Sequence, residues 1–200
     1  MGCALHKKRF AALLCFYVDI FTFRRPEYAH IIIVIIATSM LFLENSTTQE
    51  IFINSLILTF ILLILAFDGL YFVIPDFYLL CLFLLSLIEQ ALILEANFLV
   101  SIGAGILGFV GSWLIARTYE RLRNRRGLGL GDVKFFGLAG FMTSYSGLNA
   151  VVMIATLSAF LSVLITWRHN GDELTGDFAL PFGCHIALGI WVTRALSTLA

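Results

Sequence analysis

Apolar residues run along this chain in long blocks instead of alternating with polar ones. The blocks fall at 28–43, 51–73, 77–94, 98–116, 133–142, 150–167 and 178–196, with short polar stretches between them. A helix needs about 20 mostly apolar residues to cross a bilayer, so each block predicts a membrane helix, the one at 133–142 being extended at its ends. Residues 10–23 are also apolar, but the stretch is shorter and Asp19 interrupts it. It predicts an interfacial or short membrane segment within residues 1–27, ahead of a transmembrane domain over 28–200. The expected fold is all-α: a polytopic membrane helix bundle of about six to seven transmembrane helices.

Composition strengthens this reading. Hydrophobic residues make up 60% of the 200-residue chain and charged residues 13%, against roughly 45–50% and about 25% in soluble domains. Mean hydropathy is +0.95. These values exclude a soluble enzyme, and the zero net charge argues against nucleic acid as a partner, since phosphate binding needs a basic excess. Basic residues mark the cytoplasmic side of membrane proteins. The stretch 117–126 holds Arg117, Arg121, Arg123, Arg125 and Arg126 and reads as a cytoplasmic loop. Counting crossings from it puts Arg24, Arg25, Lys134 and Arg168 on the same side, and Arg194 breaks the rule. The opening residues imitate a signal peptide, with Lys7, Lys8 and Arg9 before an apolar run, but no A-x-A site follows and the segment is read as retained. Cys3, Cys15, Cys81 and Cys184 form no C-x-x-C pair, which leaves zinc ribbons and dithiol chemistry without support.

Carboxylates inside a bilayer are costly and mark functional positions. Asp68 follows the uncharged run 55–67 and lies about 26 Å along its helix from Ile51, at about 1.5 Å per residue. That depth is close to the cytoplasmic face. Asp132 sits at the same face, in Gly127-Leu-Gly129-Leu-Gly131-Asp132-Val-Lys134, where Gly129 and Gly131 permit a tight turn and close chain approach. Topology thus brings both acids to one depth. Facing each other, they would share a proton, which suits acid–base hydrolysis of an amide and equally suits an ion- or proton-coupled transporter. Asp76, after Pro75, reads as a helix N-cap, and Glu89 lies deep in its helix with no partner legible in sequence. His6, His30, His169 and His185 lack metal-ligand spacing, no metal or cofactor is expected, and Ser55, Ser101, Ser112 and Ser158 have no evident histidine base. The 127–131 glycines precede no Lys-Ser or Lys-Thr, so nucleotide binding is not expected.

The residues resemble one family. Gly129-Leu-Gly131-Asp132-Val-Lys134 resembles the GxGD-x-K signature of type IV prepilin peptidases, membrane aspartyl proteases that trim leaders from pilins and pseudopilins. Phe67-Asp68 followed by Ile74-Pro75-Asp76 resembles the family's first aspartate block, and the 64-residue spacing of Asp68 and Asp132 is similar to the family's. Leu180-Pro-Phe-Gly183 and Ile186-Ala-Leu-Gly189 resemble its closing helix. The resemblance covers about 51–196. It implies Asp68 and Asp132 as catalytic residues, Gly129 and Gly131 as shaping the active-site turn, Lys134 as the motif lysine of unassigned role, and Asp76 in a supporting place. It also implies a bacterial inner-membrane enzyme cleaving prepilin or pseudopilin precursors at the cytoplasmic side. Lipid and pilus or secretion assembly components are the other implied partners. No paired cysteines precede the first block, so the resemblance is to the short form, without N-methyltransferase activity. Gly69-Leu70-Tyr71 departs from more polar relatives. Presenilin-type and signal-peptide-peptidase proteases share a GLGD motif and rank second, because their third motif is Pro-Ala-Leu where this chain has Ala179-Leu180-Pro181. An ion-coupled transporter and an inactive assembly scaffold are the non-enzymatic alternatives.

Overall fold

The computed structural model describes residues 26–45, 47–92, 97–125, 127–170 and 180–198. The expected segment 10–23 lies outside the described residues, as do Arg24, Arg25 and Arg126. Every element among the described residues is α-helical: α1 (Pro26–Asn45), α2 (Thr48–Tyr71), α3 (Asp76–Leu92), α4 (Phe98–Arg123), α5 (Leu130–Asn170) and α6 (Phe182–Ser197). Local chemistry sets the ends. Thr47 and Glu50 form a reciprocal capping box at the start of α2, and the Asn97 side chain accepts the Leu99 N–H at the start of α4, each satisfying amides that the first turn leaves open. α2 stops where Phe72 turns left-handed (φ 53°, ψ 36°) and returns its N–H to the Asp68 carbonyl. α4 stops at left-handed Asn124, with Arg121 and Arg123 in its last turn.

That last turn corrects the expected basic loop. Helix α4 continues seven residues beyond the apolar block, so Arg117, Arg121 and Arg123 are helical and exposed. Cations at a helix C-terminus are favoured by the negative end of its dipole, and this turn needs no apolar partner.

The long element α5 is two helices that reverse direction at Ser144. Phe136 stacks near Phe182 (ring centroids 6.0 Å), while Ser158 hydrogen-bonds His185 at 2.8 Å. Phe182 and His185 lie within one turn of α6, yet a straight helix would hold Phe136 and Ser158 about 33 Å apart, at about 1.5 Å per residue. Ser144, with φ 59° and ψ −173°, makes the reversal. This backbone region is nearly glycine-only and costs on the order of 1–3 kcal/mol. The limbs 130–143 and 145–170 therefore form a hairpin, matching the two separate blocks seen in sequence.

α4 packs most closely against α5 and α5 against α6. A Cβ on Gly108 would collide with the Phe136 carbonyl, and one on Gly140 with the Ala104 carbonyl, so small residues let these helices approach nearly backbone to backbone. Ile57, Ile61, Ile64 and Leu65 of α2 meet Ile186, Ile190 and Trp191 of α6 in one buried core. The Trp191 indole N–H donates to the Ile35 carbonyl of α1 at 3.3 Å. Outward faces are as apolar as the core, with Ile106, Leu107, Leu114, Ile115, Leu157 and Phe160 exposed. An apolar exterior of this extent fits a lipid solvent. α2 and α4 are each long and apolar enough to cross a membrane, and the α5 hairpin is as apolar as they are. The chain is an all-α membrane protein.

Two charges with no place in the sequence reading find each other here. Arg194 of α6 donates to Glu89 of α3 at 2.5 Å and to Asn54 of α2 at 2.7 Å. All three side chains are buried, at the end of the bundle opposite Asp68. Arg194 is an interior ion-pair partner and not a topological marker.

Candidate active site

Asp68 lies one turn before the end of α2, and Asp132 in the first turn of α5. Alternating helix directions bring these two ends together with the starts of α3 and α6. Asp68 is 4% exposed and its Oδ2 accepts the backbone N–H of Cys184 at 3.0 Å. That N–H belongs to the first turn of α6, where amides have no partner within their own helix. The Cys184 thiol donates to the Leu65 carbonyl at 3.3 Å, so one residue of α6 ties itself to α2 twice. Cys184 is fully buried, and the role of its amide was not foreseen.

Asp132 is half-buried. Its Oδ2 accepts the Gly129 N–H at 3.2 Å, and the Gly129 carbonyl accepts the Val133 N–H at 3.2 Å. The glycine turn thereby folds back on the acid that follows it. Asp68 and Asp132 lie within electrostatic range of one another, and both within range of Cys184. The structure brings the two candidate acids together, from residues 64 apart in sequence.

Lys134 acquires a partner. Its ammonium contacts both carboxylate oxygens of Asp76, at 2.8 and 2.9 Å, linking the start of α3 to the start of α5 two residues beyond Asp132. Asp76 is itself the first residue of α3, and its carboxylate serves this ion pair, where sequence suggested a cap. Both side chains are well exposed, 48% for Lys134 and 72% for Asp76, so the pair contributes roughly 0–1 kcal/mol. Its value is geometric.

Beside the glycine turn, a cavity of about 620 Å³ opens between α4, α5 and α6 and is lined by Tyr119, Gly127, Leu128, Phe136 and Phe182 among others. A second cavity of similar size is lined by Asp76 and Lys134 together with Phe83, Phe98, Phe109 and Phe141. Both are apolar, with walls suited to an extended or helical hydrophobic segment.

A polar cluster sits in the core. The Ser158 hydroxyl lies 2.9 Å from His30 Nε2 and 2.8 Å from His185 Nδ1, so Ser158 has two imidazole neighbours where none was expected. Separations of 128 and 27 residues hide the contact from any sequence window. With Ser158 and His185 buried, the cluster joins α1, α5 and α6 as a tie. Among the described residues, no group of three or more His, Cys, Asp or Glu side chains gathers to hold a metal ion.

Comparison with known proteins places this sequence among relatives. The profile of the type IV leader peptidase family matches residues 55–167, a stretch containing Asp68, Asp76, the glycine turn, Asp132 and Lys134. A prepilin leader peptidase/N-methyltransferase of Burkholderia pseudomallei (strain 1026b) is 34% identical over 89 residues, covering 44% of this chain and 28% of the relative. The same-named protein of strain K96243 matches equally. That of Xanthomonas campestris pv. campestris is 27% identical over 92 residues, covering 46% of this chain and 31% of its own length. The chain thus aligns with less than a third of each of these relatives. No solved structure matches it. A family profile that spans more than half of the sequence and both aspartate blocks settles the kinship: this chain belongs to the type IV leader peptidase family.

Proposed function

We propose that this protein is a membrane aspartyl endopeptidase that removes the leader peptide from type IV prepilin or pseudopilin precursors, using Asp68 and Asp132 as its catalytic pair. The observation that supports the reading is the placement of Asp68 at the end of α2 and Asp132 at the start of α5, at the same end of the bundle, each accepting a backbone N–H. One carboxylate takes a proton from water while the other, protonated, hydrogen-bonds the scissile carbonyl, and the roles exchange as the amine leaves. Two acids sharing one proton titrate as a pair, so neither microscopic role belongs to one residue alone.

The site faces the cytoplasm of a bacterial inner membrane in this proposal. Support comes from the exposed Arg117, Arg121, Arg123, Lys134 and Arg168, which share the aspartate end and follow the positive-inside rule. The substrate's apolar helix stays in the bilayer beside the enzyme, and its leader meets the site from the cytoplasm.

The test is co-expression with a prepilin precursor, read by gel mobility and by the N-terminal sequence of the product. The wild-type chain is expected to shorten the precursor. Asp68→Asn and Asp132→Asn, which nearly preserve size while removing the titrating carboxyl, are each expected to lose about 10²–10⁴-fold in rate, the usual worth of acid–base catalysis. Undiminished cleavage by either variant overturns the mechanism.

A further inference from the structure

Between the two aspartate-bearing segments sits one side chain that belongs to neither. Ile74 lies in the short connection from α2 to α3 and is 8% exposed. The chain leaves α2 through left-handed Phe72, whose N–H is tied to the Asp68 carbonyl at 2.9 Å. Pro75 follows, and the residue before a proline is driven towards extended backbone. Ile74 is therefore pinned on both sides, six residues after Asp68 and two before Asp76.

Its side chain fills a notch made by two glycines. A Cβ on Gly131 would stand 3.2 Å from Ile74 Cβ, and a Cβ on Gly183 would stand 2.6 Å from Ile74 Cδ1 and 2.8 Å from Asp68 Oδ2. Gly131 immediately precedes Asp132. Gly183 immediately precedes Cys184, whose N–H holds Asp68. The isoleucine thus bears on the backbone of the α5 acid on one side and on the anchor of the α2 acid on the other. Close-packed interiors transmit such contacts almost rigidly, and each glycine leaves space that any larger residue would take from Ile74.

Taking Asp68 and Asp132 as the catalytic pair proposed above, we propose that Ile74 is the positioning residue that fixes the separation of the two carboxylates, acting as a spacer seated between Gly131 and Gly183. Its side chain is wholly apolar, so it acts through the segments that hold the acids. Catalysis by a shared-proton pair depends steeply on geometry, and a displacement of about 1 Å costs about 10²-fold in rate. Ile74→Ala removes the spacer without touching either acid's own segment, and Gly183→Ala crowds both the spacer and the Asp68 carboxylate. Both are expected to lower kcat by about 10- to 100-fold while leaving KM within about threefold, because neither is placed to bind substrate. Ile74→Val removes only Cδ1, the atom nearest a Gly183 Cβ. It is therefore expected to recover part of the activity lost in Gly183→Ala and none of that lost in Gly131→Ala, whose conflict is with the retained Cβ.

A direct measurement separates this idea from the peptidase reading. In a full-length chain whose four native cysteines are replaced, Asp68→Cys and Asp132→Cys are joined by bifunctional methanethiosulfonates of graded length. The best-fitting length is expected to shift when Ile74→Ala or Gly183→Ala is added, and less with Ile74→Val. The Val variant, short of one methyl, keeps the test readable if the larger changes fail to fold. An unchanged optimum in all of these backgrounds overturns the spacer, whatever the activity. A shifted optimum, where the wild-type chain with both aspartates intact cleaves no precursor, leaves the spacer standing and removes the peptidase reading instead.

Discussion

Glu89→Gln should be among the most damaging near-isosteric changes in the bundle. The Glu89 and Arg194 side chains are only 6% and 8% exposed and meet at 2.5 Å, with Asn54 as a third member at 2.7 Å. Replacing the carboxylate by an amide leaves the guanidinium buried without its counter-charge. Breaking a buried pair from one side costs about 3–5 kcal/mol. Asn54 keeps one hydrogen bond, which places the loss near the lower value, about 3 kcal/mol. At about 1.4 kcal/mol per tenfold, this is roughly a 150-fold fall in the folded-to-unfolded ratio. Glu89→Met with Arg194→Met removes both charges and both desolvation costs, so the double variant should be closer to wild type than either single change. The assay is equilibrium unfolding in mixed micelles followed by tryptophan fluorescence. Trp191 is 1% exposed and three residues before Arg194, which makes it a local reporter. A double-mutant cycle then isolates the pair term. Coupling below about 0.5 kcal/mol, the scatter expected of independent sites, would refute the closed pair.

The remaining predictions concern other interhelical contacts. Ser158→Ala strips the hydroxyl shared by His30 and His185 and should cost about 1–3 kcal/mol by leaving buried imidazole nitrogens unsatisfied; the same unfolding assay measures it, and a change under about 0.5 kcal/mol would show that the tie is absent. Gly140→Ala places a methyl against the Ala104 carbonyl and should destabilise by about 1–3 kcal/mol by forcing α4 and α5 apart. Gly111→Ala, with nothing within 4 Å of a Cβ, is the matched control and should lose no stability, since alanine is the better helix former. Lys134→Met and Asp76→Asn should each change stability by no more than about 1 kcal/mol, given their exposure. An added 1 M salt should erase most of that difference, since charges are then screened over about 3 Å.

Much of the architecture is written in the linear chain because membrane helices are a local matter. A run of about 20 apolar residues satisfies its own backbone hydrogen bonds and its own solvent, so the helices over Thr48–Tyr71 and Phe98–Arg123 are visible without knowledge of their neighbours. Counting residues at a fixed rise also put Asp68 and Asp132 at one depth, and the GxGD-x-K and Pro-Asp spacings carried the family resemblance. The helical turn holding Arg121 and Arg123 escaped the reading because its residues are polar on every side and hydropathy ended the helix too early.

What hydropathy could not supply is rotation. In a lipid solvent the outward face of a helix is as apolar as the inward one, so no stripe marks which residues meet. The partners of Arg194, Glu89 and Asn54 are 105 and 140 residues apart, those of Ser158 come from two other helices, and the Lys134–Asp76 pair joins residues 58 apart. The seat of Ile74 between Gly131 and Gly183 likewise exists only once α2, α5 and α6 have closed together. The sequence determined that this chain is a helical membrane protein with two acids at one depth, since each of those facts follows from segments read singly. Tertiary packing alone decided which faces turn inward, because that choice is made by pairwise fit and polar satisfaction between helices that no single segment contains.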